Sequence, residues 1–210
     1  MIYLKSILNI LRLFKKTLNV SLCYFIFRLA KYRKFSKLVI GSGGTYEKGW
    51  IPSEKNFLNL LNQKHWNKYF KKNSLDAILA EHVFEHLSIS ELKSAIKIMH
   101  YYLKPGGYIR VAVPDGYHPS KSYINHVKPN LNENSHGHKV LYNHKIITKL
   151  FLDAGFKVSM LEYFDENHKF HYNKWNIHQG NIRRSSMNDK RNVEGKLAYT
   201  SVIFDAFKDK

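Results

Sequence analysis

Residues Lys37-Leu-Val-Ile-Gly-Ser-Gly-Gly44 join a short apolar run to three closely spaced glycines. The apolar run predicts a buried β-strand, because it is short and is followed at once by residues that break regular structure. Glycine adopts positive φ at little steric cost and allows a ligand to approach the backbone closely. The segment therefore predicts a strand that ends in a tight turn accessible to a ligand.

Downstream of this turn, apolar runs alternate with helical patterns. Residues Ser74 to Ala80 predict a second buried strand, and Ser88 to Leu103 predict a helix in which Ser88 and Glu91 form a capping box. Further elements follow in the same rhythm: a helix stop at 104–107, strands over 108–113 and 156–163, a helix over 141–154, and a β-rich run over 198–207. This alternation predicts an α/β fold around a mostly parallel sheet.

Three segments of unusual composition come directly after predicted strands. They cover residues 41–45, 81–86 and 114–118. In open α/β sheets, ligands bind outside the carboxyl ends of the strands, where the strand order reverses. We therefore expect the three segments to border one crevice.

The composition excludes several classes of protein. The chain has 210 residues, of which 44% are hydrophobic and 24% are charged. These fractions exclude a disordered, collagen-like or coiled-coil chain. The single cysteine, Cys23, excludes an internal disulfide and is typical of a reducing compartment. No run approaches the roughly 20 apolar residues of a membrane span, so the sequence predicts no integral membrane protein.

Positive charge is concentrated near the amino terminus. The formal net charge is +18, and residues 1–40 contain nine Lys and Arg but no Asp or Glu. Apolar residues recur there at helical spacing, so residues 1–36 predict a basic amphipathic helical segment ahead of a domain over 37–210. Such a segment either lies in an anionic membrane interface or packs onto the domain.

Four stretches, in this order, carry a resemblance to one family. They are Gly41-Ser-Gly-Gly44, Gly49-Trp-Ile51 with Glu54, Asp76-Ala-Ile-Leu-Ala-Glu-His-Val-Phe-Glu-His-Leu87, and Leu103-Lys-Pro-Gly-Gly-Tyr-Ile-Arg-Val-Ala-Val-Pro-Asp115. Together they resemble class I S-adenosylmethionine-dependent methyltransferases, and more narrowly the bacterial predicted methyltransferases related to the type 11 group. The resemblance implies a three-layer Rossmann-like fold, with a seven-stranded mostly parallel sheet and an antiparallel last strand. It also implies S-adenosyl-L-methionine as cofactor.

The resemblance assigns roles to individual residues. It implies that Gly41, Ser42 and Gly43 contact the methionine part of the cofactor and that Glu54 accepts hydrogen bonds from the ribose hydroxyls. It also implies that Glu81 and His82 flank the sulfonium, and we take His82 as the candidate catalytic residue. Methyl transfer itself needs mainly alignment of nucleophile, methyl group and leaving sulfur.

The chain departs from the family's pattern in the first connection. Thr45 stands where the third glycine of G-x-G-x-G is usual, and only residues 45–48 separate the glycine turn from Gly49. The helix that normally joins the first two strands cannot fit in this length. Pro52 also argues against a central position for the second strand.

Histidine motifs suggest alternatives that we judge weaker. His82-Val-Phe-Glu85-His86 matches H-x-x-E-H, a zinc-hydrolase pattern, and His136-Gly-His138 is a second close pair. The first motif directly follows a buried strand, and no distant acid is marked as a third ligand. Close pairs also arise by chance among twelve histidines. The sequence therefore predicts no metal site.

Two long segments are candidate acceptor-binding regions. Residues 116–143 lie beyond the fifth predicted strand, where a substrate lid is useful, and they contain His118, His138 and Tyr142. Residues 164–195 form an insertion between the last two strands and combine aromatic residues with Arg183 and Arg184. Aromatic side chains with paired arginines suit a sugar, a nucleotide or a phosphate, and they suit a structural flap as well.

Three hypotheses about function remain open at this point. The first is a bacterial, cytoplasmic methyltransferase that acts on a small-molecule or saccharide acceptor and contacts the inner membrane face through residues 1–36. The second is an RNA methyltransferase, motivated by the net charge of +18 and ranked lower because no sequence-reading element is visible. The third is an inactive binding module with the same fold, motivated by the shortened glycine turn.

Overall fold

A computed structural model of the chain describes residues 17–29, 36–43, 47–129 and 137–210. The predictions for residues 1–16, 30–35, 44–46 and 130–136 therefore lie outside the described residues, including those for Thr45 and His136. Residues 17–29 form a helix, α1. This helix lies within the segment for which the sequence predicts one. Among the described helices, none combines the length and apolarity that a membrane span requires.

Within the described ranges, seven strands form one sheet. They are β1 (Lys37–Ile40), β2 (Ile51–Pro52), β3 (Leu75–Glu81), β4 (Leu103–Pro114), β5 (Phe156–Phe164), β6 (Phe170–Tyr172) and β7 (Ser201–Lys208). Their order is β2-β1-β3-β4-β7-β5-β6. The first four are parallel, whereas β7 runs antiparallel between β4 and β5, and β6 is antiparallel to β5. The predicted α/β sheet, with its last strand antiparallel between two parallel ones, is confirmed.

The described residues form four more α-helices between the strands: α2 (Gln63–Tyr69), α3 (Ile89–Tyr102), α4 (Lys121–Val127) and α5 (His144–Leu152). The predicted capping box of α3 is present, because Ser88 accepts a hydrogen bond from the Glu91 amide and Glu91 accepts one from the Ser88 amide. The boundary at the other end of α3 differs from the prediction. Strand β4 begins at Leu103, and residues 104–107 form an irregularity before pairing resumes at Tyr108.

Pro52 occupies the position that its chemistry allows. Strand β2 contains only Ile51 and Pro52 and lies at the edge of the sheet beside β1. Proline cannot donate to a sheet ladder, so an edge strand tolerates it. The ladder to β1 continues one residue later, where the Ser53 amide donates to the Val39 carbonyl.

Alternate residues of the strands face two different layers, as the pleat of a strand requires. On one face the sheet packs against α1, α2, α3 and α5, in a core that includes Ile78, Trp66, Ile96 and Phe151. On the other face Leu79 and Ala112 pack against Trp175 and Ile182 of the 164–195 insertion. The insertion therefore forms the third layer of the predicted three-layer fold. It covers the face of the sheet where a helix between β1 and β2 would lie, and the connection between these strands is too short for such a helix.

Charged side chains of the sheet fasten the insertion in place. Arg110 of β4 is fully buried, forms a two-point ion pair with Asp205 of β7, and donates to the Asn176 and Gly180 carbonyls. Its guanidinium also lies over the Trp175 ring, 5.1 Å from the centroid. These contacts attach an irregular segment to a buried strand.

Candidate active site

The glycine turn lies at the carboxyl end of β1 and adopts the predicted backbone conformation. Gly41 and Gly43 have φ of +60° and +62°. A Cβ atom on Gly41 would lie 2.8 Å from Cγ2 of Val83, whereas one on Gly43 would meet nothing within 4 Å. Close approach of the chain to the turn after β3 therefore requires glycine at position 41.

Ser42 connects this turn to Glu54. The Ser42 hydroxyl donates to Oε1 of Glu54 at 2.7 Å, and the Ser42 amide donates to the Ser53 carbonyl at 2.9 Å. Cys23 of α1 lies 3.8 Å from the same hydroxyl, and burial raises the pKa of its thiol. The structure thus brings together the residues that the resemblance assigns to the methionine part and the ribose of the cofactor.

Two cavities border Gly41. The smaller one, of about 300 Å³, is lined by β1, Leu79 and a group of polar side chains: Glu47, Glu81, His178, Asn181 and Arg183. The larger one, of about 560 Å³, is lined by leucines 58, 60, 61 and 87 together with His82, His86 and Lys139. Ile40 and Gly41 belong to both walls. Both cavities therefore meet at the carboxyl end of β1, where an open α/β sheet binds its ligands.

Glu81, the last residue of β3, is held by the two arginines of the insertion. Its carboxylate accepts from Nε of Arg183 at 3.1 Å and from the amide of Arg184 at 2.9 Å. The Arg184 guanidinium lies 3.7 Å away. The sequence predicts a cofactor contact for Glu81 and an acceptor contact for the arginines. The structure joins Glu81 to both arginines, of which Arg183 lines the smaller cavity together with Glu81, and both roles stay predictions.

His82 is held tightly in the turn after β3. Its backbone φ of +54° is uncommon for a residue with a side chain, and such strain is typical of functional sites. Nε2 lies 3.0 Å from the Ser201 hydroxyl, and Nδ1 lies 3.3 Å from Oε1 of Glu85. Burial and the nearby Arg184 charge lower the pKa of His82 well below its usual value. The ring is therefore neutral at pH 7, and its proximity to the transferred methyl group stays a prediction.

The predicted lid residues His118 and Tyr142 are buried rather than directed into either cavity. His118 bonds through Nε2 to the Leu197 carbonyl and through Nδ1 to the Ser120 amide, and burial lowers its pKa to about 4. The Tyr142 hydroxyl is buried without a hydrogen-bond partner among the described residues, and its burial raises its pKa. Contact of either residue with an acceptor requires the surrounding chain to move.

Sequence reasoning missed two groups near the site. Arg110 is a charged residue within the apolar strand Tyr108 to Val113, and this contrast was the available signal that it has a dedicated partner. Sequence reasoning marks Glu85 only within the H-x-x-E-H pattern, with no role in a methyltransferase site. The structure buries its carboxylate completely beside His82 and His138, and this burial raises the pKa of Glu85 to about 8.

Comparison with protein families identifies the class. The family described as "Methyltransferase domain" matches residues 36–161, more than half of the chain. The chain therefore belongs to the methyltransferase domain family, as the resemblance of the glycine turn and the strand-end motifs predicts. The prediction of a class I methyltransferase with S-adenosyl-L-methionine as its cofactor is confirmed at this level. The match includes the glycine turn, Glu54 and the segment from Glu81 to His86.

Comparison with solved structures gives distant likenesses. An S-adenosylmethionine-dependent methyltransferase from Archaeoglobus fulgidus is 16% identical, with 86% of this chain and 91% of that chain covered and a TM-score of 0.45. A possible histamine N-methyltransferase from Thermotoga maritima is 13% identical, with 89% and 92% covered and a TM-score of 0.49. Phosphoethanolamine N-methyltransferase 2 from Haemonchus contortus is 17% identical, with 87% and 52% covered and a TM-score of 0.46. Comparison with curated proteins gives no match.

Proposed function

We propose that this protein transfers the methyl group of S-adenosylmethionine to a hydroxyl or amine of a small-molecule or saccharide acceptor. The observation that carries the proposal is the meeting of two cavities at Gly41, beside a turn that Ser42 ties to Glu54. Four leucines line the larger cavity, and charged side chains line both cavities. An elongated ligand that combines an aromatic ring with charged groups fits these walls.

The residues of the chain fit the proposed cofactor by their chemistry. The leucines of the larger cavity suit a flat purine ring, and a carboxylate such as Glu54 suits the two hydroxyls of a ribose. When bound, the cofactor supplies a methyl group on a positively charged sulfur. Gly41 allows the backbone to lie against it, and Arg183 and Arg184 hold the Glu81 carboxylate in a fixed position while they offset its charge.

The proposed contribution of the protein to the reaction is alignment. A neutral His82, fixed between Ser201 and Glu85, borders the larger cavity without adding positive charge. Holding a nucleophile in line with the bond that breaks supplies a large share of the rate enhancement in reactions of this kind. The acceptor proton can leave to water or to an acceptor group, so no residue of the chain is assigned as a general base.

Calorimetric titration tests the cofactor site. We expect wild type to bind S-adenosylmethionine and its demethylated product with micromolar affinity. Glu54→Ala should weaken both by about tenfold to a hundredfold, because a charged acceptor of two hydroxyl hydrogen bonds is lost. Glu54→Gln, which keeps an oxygen for Ser42, should show a smaller loss that separates ribose recognition from the structure of the turn.

Glu166→Ala provides a matched control for this titration. Glu166 is an exposed carboxylate paired with Lys145, so its loss should leave both affinities at the wild-type value. A folded wild-type protein that binds neither compound would contradict the proposal. It would instead support an inactive binding module.

We propose further that α1 contacts an anionic membrane surface. Cys23 and Phe27 pack onto the domain, whereas Leu18, Leu22 and Phe25 on the same helix are 56%, 54% and 60% exposed. The surrounding sequence carries nine basic residues and no acid. An exposed apolar helix face beside basic residues is suited to an interface with acidic lipids.

Vesicle sedimentation tests this contact. We expect the full chain to sediment with vesicles of phosphatidylglycerol and phosphatidylcholine, and much less with phosphatidylcholine alone, because each basic residue near an anionic surface adds about 1 kcal/mol. Leu22→Ser with Phe25→Ser should lower binding several-fold. Ile146→Ser with Leu152→Ser, which changes exposed apolar residues of α5, is the matched control and should not. Equal sedimentation of both double variants would argue against a role for α1.

A further inference from the structure

Glu85, His86 and His138 form a compact cluster beside the larger cavity. Their candidate ligand atoms all lie within 4.8 Å of one another. The cluster is held together by the backbone, because the Lys139 and Val140 amides donate to the Glu85 carbonyl at 2.7 and 3.2 Å. The segment that carries His138 is therefore fixed against the turn that carries Glu85 and His86.

Both histidines are oriented by backbone carbonyls. Nδ1 of His86 lies 3.2 Å from the Gly137 carbonyl, and Nδ1 of His138 lies 2.7 Å from the Val127 carbonyl. A carbonyl only accepts, so Nδ1 is the protonated nitrogen in each neutral ring, and Nε2 carries the lone pair. Metal-binding histidines show the same arrangement, in which the second ring nitrogen donates to a carbonyl or carboxylate.

The environment of the Glu85 carboxylate is separate evidence that this cluster binds a ligand. The carboxylate is fully buried, and neither of its oxygens has a hydrogen-bond partner among the described residues. Two histidine nitrogens lie close to it, Nδ1 of His82 at 3.3 Å and Nε2 of His138 at 3.9 Å. A buried carboxyl group without hydrogen bonds is costly, and a bound metal ion is one partner that satisfies such a group in native proteins.

We propose that Glu85, His86 and His138 bind a divalent transition-metal ion, of which Zn²⁺ is the prototype. Two imidazoles and one carboxylate suit Zn²⁺ and its first-row neighbours, whereas Mg²⁺ and Ca²⁺ take oxygen ligands. Bonds of about 2.1 Å place two ligand atoms at most about 4.2 Å apart, so the side chains must close on the ion from separations of up to 4.8 Å. Three protein ligands leave a coordination position open, and His86 borders the larger cavity, so a small molecule bound there can reach the ion.

The test uses the full chain, stripped with EDTA and kept free of cofactor, so that its outcome is independent of methyl transfer. It is titrated with Co²⁺ and then Zn²⁺, with visible absorption and bound metal per chain as readouts. We expect one Co²⁺ per chain with d–d bands, displaced by Zn²⁺, and a rise in unfolding temperature. Glu85→Gln and His138→Gln should each weaken metal binding at least about tenfold. Loss of a residue that only orients a metal ligand already costs about that much.

His171→Gln is the matched control, because His171 pairs with the carboxylate of Asp165 at 2.7 Å on edge strand β6. It should bind metal like wild type. Metal-free Glu85→Gln should unfold at about the same temperature as metal-free wild type, since glutamine has nearly the shape of glutamate and adds no charge to the buried position, so its loss of metal cannot be attributed to misfolding. A wild type that binds neither ion at micromolar concentration would overturn the proposal. Equal binding by wild type and both cluster variants would also overturn it, by showing adventitious binding to other histidines.

Discussion

Arg110→Met is expected to lower the free energy of unfolding by about 3–5 kcal/mol, the usual cost of removing one partner from a buried ion pair. The substitution leaves the buried carboxylate of Asp205 without its two-point partner. It also removes the donor to the Asn176 and Gly180 carbonyls and the cation above Trp175. Urea unfolding followed by far-ultraviolet circular dichroism measures the change, and protease cleavage within 164–195 should become faster.

Two comparisons show whether burial is the reason for this cost. Lys149→Met removes one partner of an exposed pair with Asp153, and it should cost at most about 0.5 kcal/mol. Arg110→Met combined with Asp205→Leu replaces both charges with apolar groups and should recover part of the loss. A single Arg110→Met variant as stable as wild type would show that the pair does not fasten the insertion.

Most features of the fold that the sequence predicts correctly have a local signal in the sequence. The capping box at Ser88 and Glu91 depends on residues three apart, and the strands around Ile78 and Val111 depend on short apolar runs. Pro52 argues against a central position for β2, and the structure places this strand at the edge of the sheet. Each of these features is set by neighbours in the chain, so periodicity and turn chemistry are sufficient to find it.

The features that sequence reasoning missed depend on residues far apart in the chain. Arg110 meets Asp205 only because β7 inserts beside β4, and its contacts to Asn176 and Gly180 exist only once the insertion lies on the sheet. His138 meets Glu85 in the same way, through backbone bonds between two separate loops. No spacing rule connects such residues, because the sheet topology and not the local sequence brings them together.

Gly41→Ala is expected to abolish most cofactor binding as well as to destabilise the fold. Alanine at φ of +60° costs about 1–2 kcal/mol in the left-handed region. Its Cβ would also lie 2.8 Å from Val83, and overpacking of this kind adds about 1–3 kcal/mol or displaces the chain. A displaced turn misaligns both cavities, so affinity for S-adenosylmethionine, measured by calorimetry, should fall by about a hundredfold.

Gly43→Ala separates the cost of the backbone conformation from the cost of steric contact. Gly43 has nearly the same φ as Gly41, but a Cβ atom there would stand in open space. The variant's free energy of unfolding should fall only by the cost of placing alanine in the left-handed backbone region. Adding Val83→Ala to Gly41→Ala removes the methyl group that the new Cβ meets, so the double variant should regain affinity relative to Gly41→Ala alone. If Val83→Ala gives no such rescue, the requirement for glycine at position 41 comes from the backbone conformation rather than from contact with the turn after β3.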